Sequence, residues 1–190
     1  MIPGFAEISS SLYGAWRLIC LDEDAVRYFN LSVEGFWRSF FAAVLSLPYF
    51  VLAAIWVPQG DGEAVISAPD PVLAFLAYVL GWIVFPVAAV FLVRLFNLSQ
   101  GYVGYIVALN WSGALIAQPL LILTTIEHAG LIDANTMGAL QMPILFFVLW
   151  YGWIIARRML GASAWVAGAL VIIAKLIDIL LFVALIGPAS

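Results

Sequence analysis

Residues 72–93 read Val-Leu-Ala-Phe-Leu-Ala-Tyr-Val-Leu-Gly-Trp-Ile-Val-Phe-Pro-Val-Ala-Ala-Val-Phe-Leu-Val, an uncharged run bracketed by Asp70 and Arg94. A hydrocarbon core about 30 Å thick requires about 20 apolar residues at 1.5 Å each, so this run is long enough to cross a bilayer once as a helix. A barrel strand would be about 10 residues long and would alternate with polar positions, which this stretch does not. Its backbone polar groups then have to be satisfied within the helix itself.

Working outward, the same reading applies to four more segments, near 36–57, 102–126, 138–156 and 164–186. The composition agrees, with 66% hydrophobic and 9% charged residues and a mean hydropathy of +1.13, against roughly 25% charged residues in an ordinary soluble domain. The expected fold class is all-α: a polytopic membrane protein with a five-helix transmembrane bundle. Two regions follow, an amphipathic segment over 1–35 and a five-span domain over 36–190.

The charges give the orientation. Arg17, Arg27 and Arg38 precede or open the first span, Arg94 follows the second, and Arg157 and Arg158 follow the fourth. The loops at 58–71 and 127–137 contain acidic residues but no Lys or Arg. By the positive-inside rule the N-terminus is cytoplasmic and the C-terminus lies outside, which for a bacterial chain means a multi-pass inner-membrane protein. Trp37, Tyr102, Trp150, Tyr151, Trp153 and Trp165 lie near span ends, as interfacial anchors do.

A hexapeptide, Arg-x-Phe-Asn-Leu-Ser, occurs at 27–32 and again at 94–99. Each copy keeps an arginine in the cytoplasm and offers Ser32 or Ser99 as N-cap of the helix that follows; Arg158 and Ser163 repeat the spacing. One reading is that spans 1–2 and 3–4 form a parallel repeat. The other is that every cytoplasmic entry needs an arginine and a cap.

Residues 4–20 place Phe5, Ile8, Leu12, Trp16 and Ile19 at helical spacing against Glu7, three serines and Arg17. This predicts an amphipathic helix, lying in the headgroup layer or beneath the bundle, with Trp16 and Arg17 favouring the interface. Pro48, Pro86 and Pro119 lie within spans and should loosen the carbonyls of Val44, Trp82 and Leu115. Pro143 stands too near a helix start to count equally. Small and polar residues recur on single faces, namely Asn110, Gly113, Ala114, Ala117 and Gln118 on span 3, and Ser39, Ala42, Ser46 and Ala53 on span 1. Such faces let helices approach closely in lipid.

Lys175 is the only lysine and stands near the centre of span 5, with Asp178 three residues on. Each such charge at a helix centre costs roughly 2.5–3.5 kcal/mol to insert. The pair is therefore expected to neutralise itself and to face protein, with Ala164 and Gly168 continuing its face and Asn110 or Gln118 as further partners. Lys175, Asp178, Asn110 and Gln118 form the candidate intramembrane polar site.

No phosphate-binding loop, nucleophile elbow or zinc-helix motif is present, so an enzyme, a metal or a cofactor is not expected. Cys20 is the only cysteine and His128 the only histidine. The net charge of −4 argues against nucleic acid. The expected partners are the lipid bilayer and other membrane proteins, or further copies of the chain.

Glu34-Gly35-Phe36-Trp37 before the first span and the Gly101-Tyr102 pair, set in five spans with short loops, resemble the Yip1-domain family over about residues 32–186. The resemblance implies a non-enzymatic protein that organises the membrane or binds partners there. Eukaryotic members act with small GTPases through a long polar tail that has no counterpart before residue 32 here. The alternative reading is a small transporter or channel built on the kinked helices and the Lys175/Asp178 pair.

Overall fold

The computed structural model describes residues 2–55 and 70–185, with Ala54, Ile55 and Ala134 described in backbone only. Every regular element among them is helical: α1 (Phe5–Ile19), α2 (Val33–Ser39), α3 (Phe41–Ile55), α4 (Pro71–Leu95), α5 (Tyr102–His128), α6 (Ala134–Leu160) and α7 (Ala164–Leu185). Short 3-10 turns at Glu23–Tyr28 and Ser99–Gly101 join them. Five stretches are long and apolar enough to cross a membrane. The chain is a multi-pass, all-helical membrane protein.

The expected spans correspond to helices, with one difference. Span 1 begins at Val33 and is two helices, α2 and α3, interrupted at Phe40. The expected end of that span, at 56–57, lies outside the described residues.

The small-residue faces find each other. Ser39 and Ala42 are fully buried, as is Ala114, and α3 packs along α5 more extensively than along any other helix. Asn110 Nδ2 donates to Ser39 Oγ at 2.8 Å, and Ser39 Oγ donates to the carbonyl of Phe36 at 2.7 Å. Beyond them, α4 lies against α7, α7 against α6, and α6 against α5, while α4 and α5 touch only slightly. Likewise α3 barely touches α4 although α5 packs closely on α6. Spans 1–2 and 3–4 are thus not paired alike.

The hexapeptide copies also do different work. Ser32 is a true N-cap, accepting from the amide of Gly35 at 3.0 Å, and Asn30 Oδ1 accepts from the Ser32 hydroxyl at 2.7 Å. In the second copy Asn97 takes a left-handed conformation (φ 56°) that ends α4, and the Leu98 amide closes back on the Val93 carbonyl at 2.7 Å. Ser99 caps nothing with its side chain; it opens the 3-10 turn, and α5 starts from Gly101 without a side-chain cap. Gly101 is required by contact rather than conformation, since a Cβ there would lie 2.6 Å from the carbonyl oxygen of Met159 on α6. Ser163 behaves as expected, its hydroxyl accepting from the Val166 amide at 3.4 Å at the start of α7.

Helix α1 is packed onto the bundle. Its buried face is Ser11, Gly14, Ala15 and Leu18; the helix packs on α5, on α6 and on the Glu23–Tyr28 turn, with Gly14 set against Tyr28 and Phe29. Small residues make this approach possible. Of the apolar stripe read from the sequence, Ile8, Leu12 and Ile19 flank that face half-buried, whereas Phe5 and Trp16 point away, 86% and 53% exposed. An ion-pair cluster fastens the helix: Arg38 reaches Glu7 at 2.9 Å and Glu34 at 2.6 Å, and Asn30 donates to Glu7 at 3.0 Å. Arg17 pairs with Asp22, and Arg158 with Glu23 at 3.2 Å. All six arginines gather at this end.

Candidate functional site

Helices α4, α5, α6 and α7 surround a cavity of about 420 Å³. Its walls are largely apolar and aromatic, with Trp82 and Phe85 from α4, Leu109 and Ile116 from α5, and Val171 from α7. Lys175 and Asp178 are the charged side chains that line it. Lys175 is 11 residues from Ala164, which puts it about 16 Å along the helix, in mid-bundle.

The pair forms as expected. Lys175 Nζ donates to Asp178 Oδ2 at 3.0 Å, the geometry of an i, i+3 pair on one helix face. Its surroundings differ from the expectation. The buried stripe of α7 runs through Ala167 and Leu170 and on to the cavity wall at Val171 and Ala174, with Asp178 in line with Ala167 by helical spacing. Ala164 is exposed, and a Cβ on Gly168 would meet nothing within 4 Å, so those two do not mark the inward face. Both charged side chains remain partly exposed, 38% and 50%.

Neither guessed partner on α5 bonds to Lys175. Asn110 does line the same cavity, but its amide is committed to Ser39. Gln118 lies elsewhere, donating to the carbonyls of Leu45 at 3.2 Å and Ala114 at 3.1 Å. Its role is tied to Pro48. Proline leaves the carbonyl four residues back without its amide and disturbs the turn around it. The carbonyls on either side of Val44 are both taken by side chains from other helices, Ala43 by the Tyr78 hydroxyl and Leu45 by Gln118. Tyr102 serves the carbonyl of Pro86 itself at 3.0 Å. The polar residues of the spans are thus used to hydrogen-bond backbone carbonyls near Pro48 and Pro86 as well as to line the cavity.

The residue that sequence reasoning misplaced is Tyr151. Its position near the end of span 4 suggested an interfacial anchor, yet it is 1% exposed and lines the cavity. Its hydroxyl donates to the carbonyl of Ala15 on α1 at 2.7 Å and accepts from Ser112 Oγ at 2.6 Å. This chain of bonds, with Tyr105, Ile106 and Ile155 around it at 1% exposure or less, forms the tightly packed part of the cavity wall, tied to α1. The span read from the sequence ends at 156, five residues from Tyr151, whereas α6 runs on to Leu160 and leaves Tyr151 nine residues, about 13 Å, from its end, too deep for a headgroup anchor.

In comparisons with known protein families, curated proteins and solved structures, nothing matches this chain. The site's own geometry therefore carries the functional argument. Among the described residues no three His, Cys, Asp or Glu side chains lie close enough to hold a metal. What the cavity offers is a place for a small molecule, shaped by aromatic walls and oriented by one ion pair, within the usual range of roughly 300–1,000 Å³ for such sites.

Proposed function

We propose that this protein binds a small solute inside the membrane and belongs with transporters or channels, in a bacterial inner membrane with its N-terminus cytoplasmic. The observation that carries the reading is the mid-bundle cavity with Lys175 and Asp178 on its wall. Ionisable groups at that depth are costly, and where they occur they mark substrate or proton paths. In this reading Tyr151, Ser112 and the docked α1 close the arginine end, and the solute enters from the other side.

The competing reading, a non-enzymatic Yip1-like protein that binds membrane partners, is supported by the five-span layout and by Phe5 and Trp16 pointing away from the bundle. Cysteine labelling separates the two. In a Cys20→Ser background, Val148→Cys on the cavity wall should react with an impermeant thiol reagent added outside intact cells, as should Leu131→Cys in the loop before α6. Gln100→Cys should stay unlabelled until the cells are opened. Labelling at Leu131 without labelling at Val148 means a closed bundle and favours the partner-binding reading; labelling of Gln100 instead of Leu131 reverses the orientation.

A further inference from the structure

Resting on the cavity reading above, we infer that the cavity takes a small free zwitterion, a molecule with an ammonium and a carboxylate on neighbouring atoms and one apolar or aromatic substituent, as in an apolar α-amino acid.

The first reason is charge balance. Lys175 and Asp178 are the charged groups on the wall, and as a pair they sum to zero. A singly charged ligand would leave one net charge in a low-dielectric site, where an uncompensated ion is strongly disfavoured. A zwitterion keeps the sum at zero.

The second reason is unused hydrogen-bonding capacity. An ammonium carries three donors and a carboxylate two acceptor oxygens. Lys175 makes one bond, to Oδ2 of Asp178, and neither side chain makes another among the described residues. Two N–H donors and Oδ1 remain unused on two side chains that line the cavity. A ligand carboxylate placed against Nζ and a ligand ammonium against Oδ1 would close a four-charge ring of alternating sign, each contact charge-assisted. A neutral hydroxyl or amide would use the same atoms without the charge assistance.

The third reason is the rest of the wall. Trp82, Phe85, Leu109 and Ile116 offer apolar and aromatic surface near the pair, suited to one side chain of the ligand. Zwitterionic lipid headgroups share the charge chemistry, but the pair lies about 16 Å along α7 and headgroups lie at the interface.

The test uses the whole chain purified in a phospholipid-free nonionic detergent, with radiolabelled L-phenylalanine as probe. L-Leucine should compete with it, whereas phenethylamine and 3-phenylpropionate, which each keep one charge, should compete at least tenfold more weakly. Lys175→Met with Asp178→Leu should abolish binding while leaving elution volume and helix content unchanged. Equal competition by the singly charged analogues overturns the inference, and this series needs no variant, so it holds even where the double substitution fails to fold. Binding retained in a folded double variant overturns it as well. Displacement of nothing by amino acids but saturation by added phosphatidylethanolamine overturns the free-solute form in favour of a headgroup. An open cavity in the labelling experiment with no phenylalanine bound rejects the ligand class and leaves the solute-binding reading standing; a closed cavity rejects both.

Discussion

At the arginine end of the bundle Tyr105, Trp111, Tyr151 and Ile155 are each 1% exposed; at the far end Ile122, Met142, Phe146 and Leu180 are between 61% and 68% exposed. The two halves are built from the same kinds of residue. What differs is the presence of small residues and hydrogen bonds between helices. Lipid solvates an apolar side chain about as well as protein does, so greasy helices have no reason of their own to associate. The arginine half supplies reasons: Ser39 and Asn110, Ser112 and Tyr151, the glycine contact at Gly101, and α1 clamped by Glu7 and Arg38. The far half supplies few, and the cavity lies where the close packing stops. Packing quality and the location of the site thus have one cause.

The comparison breaks most readily at Trp111. Trp111→Ala opens a void in the packed half and should cost about 3–5 kcal/mol, whereas Phe146→Ala in the far half should cost close to nothing. Unfolding in mixed detergent, followed by circular dichroism, measures both, and equal costs would mean that the halves are equally packed.

The ion pair gives the next effect. Lys175→Met strands a carboxylate at mid-span and should destabilise by roughly 2.5–3.5 kcal/mol, while adding Asp178→Leu should recover most of that loss, because both charges are then gone. Equal, additive damage from the two single changes, with no recovery, would falsify the pairing.

Gly101→Ala and Gly138→Ala sharpen the contrast further. The first pushes a methyl against α6 backbone and should cost about 1–3 kcal/mol. The second meets nothing within 4 Å and should be neutral or slightly stabilising, since Ala favours a helix over Gly by about 1 kcal/mol.

The smallest effect belongs to Asp133, the N-cap of α6 at the far end. Its carboxylate accepts from the Thr136 amide at 2.8 Å and from the Thr136 hydroxyl at 3.3 Å, and chiefly the amide bond holds its pKa below the ordinary value. A depressed carboxylate pKa contributes stability above its unfolded value, near 3.9, and loses it as pH falls through the folded one. Hydrogen exchange at the Thr136 amide should therefore speed up below about pH 4, and Asp133→Ala should abolish that pH dependence while leaving exchange in α5 unchanged.

Much of this protein was determined by local sequence. Five apolar runs of the right length set the number of spans, the arginines mark one end, Ser32, Asp70, Asp133 and Ser163 start helices where a cap is needed, and an i, i+3 spacing is enough to pair Lys175 with Asp178. These depend only on residues within a turn or a span of each other. The tertiary structure alone decided which faces point inward. Helix α4 is apolar nearly all round, so its pattern gives no direction, and Ala164 and Gly168 looked as suitable for the interior as Ala167 and Leu170. It also decided that Tyr151 reaches a carbonyl 136 residues away, that Gln118 bonds the Leu45 carbonyl on α3 and not the ion pair, and that α1 docks through small residues while its largest ones face out. Local rules reach one turn or one span, whereas a cavity and a long-range hydrogen bond exist only once several helices have met.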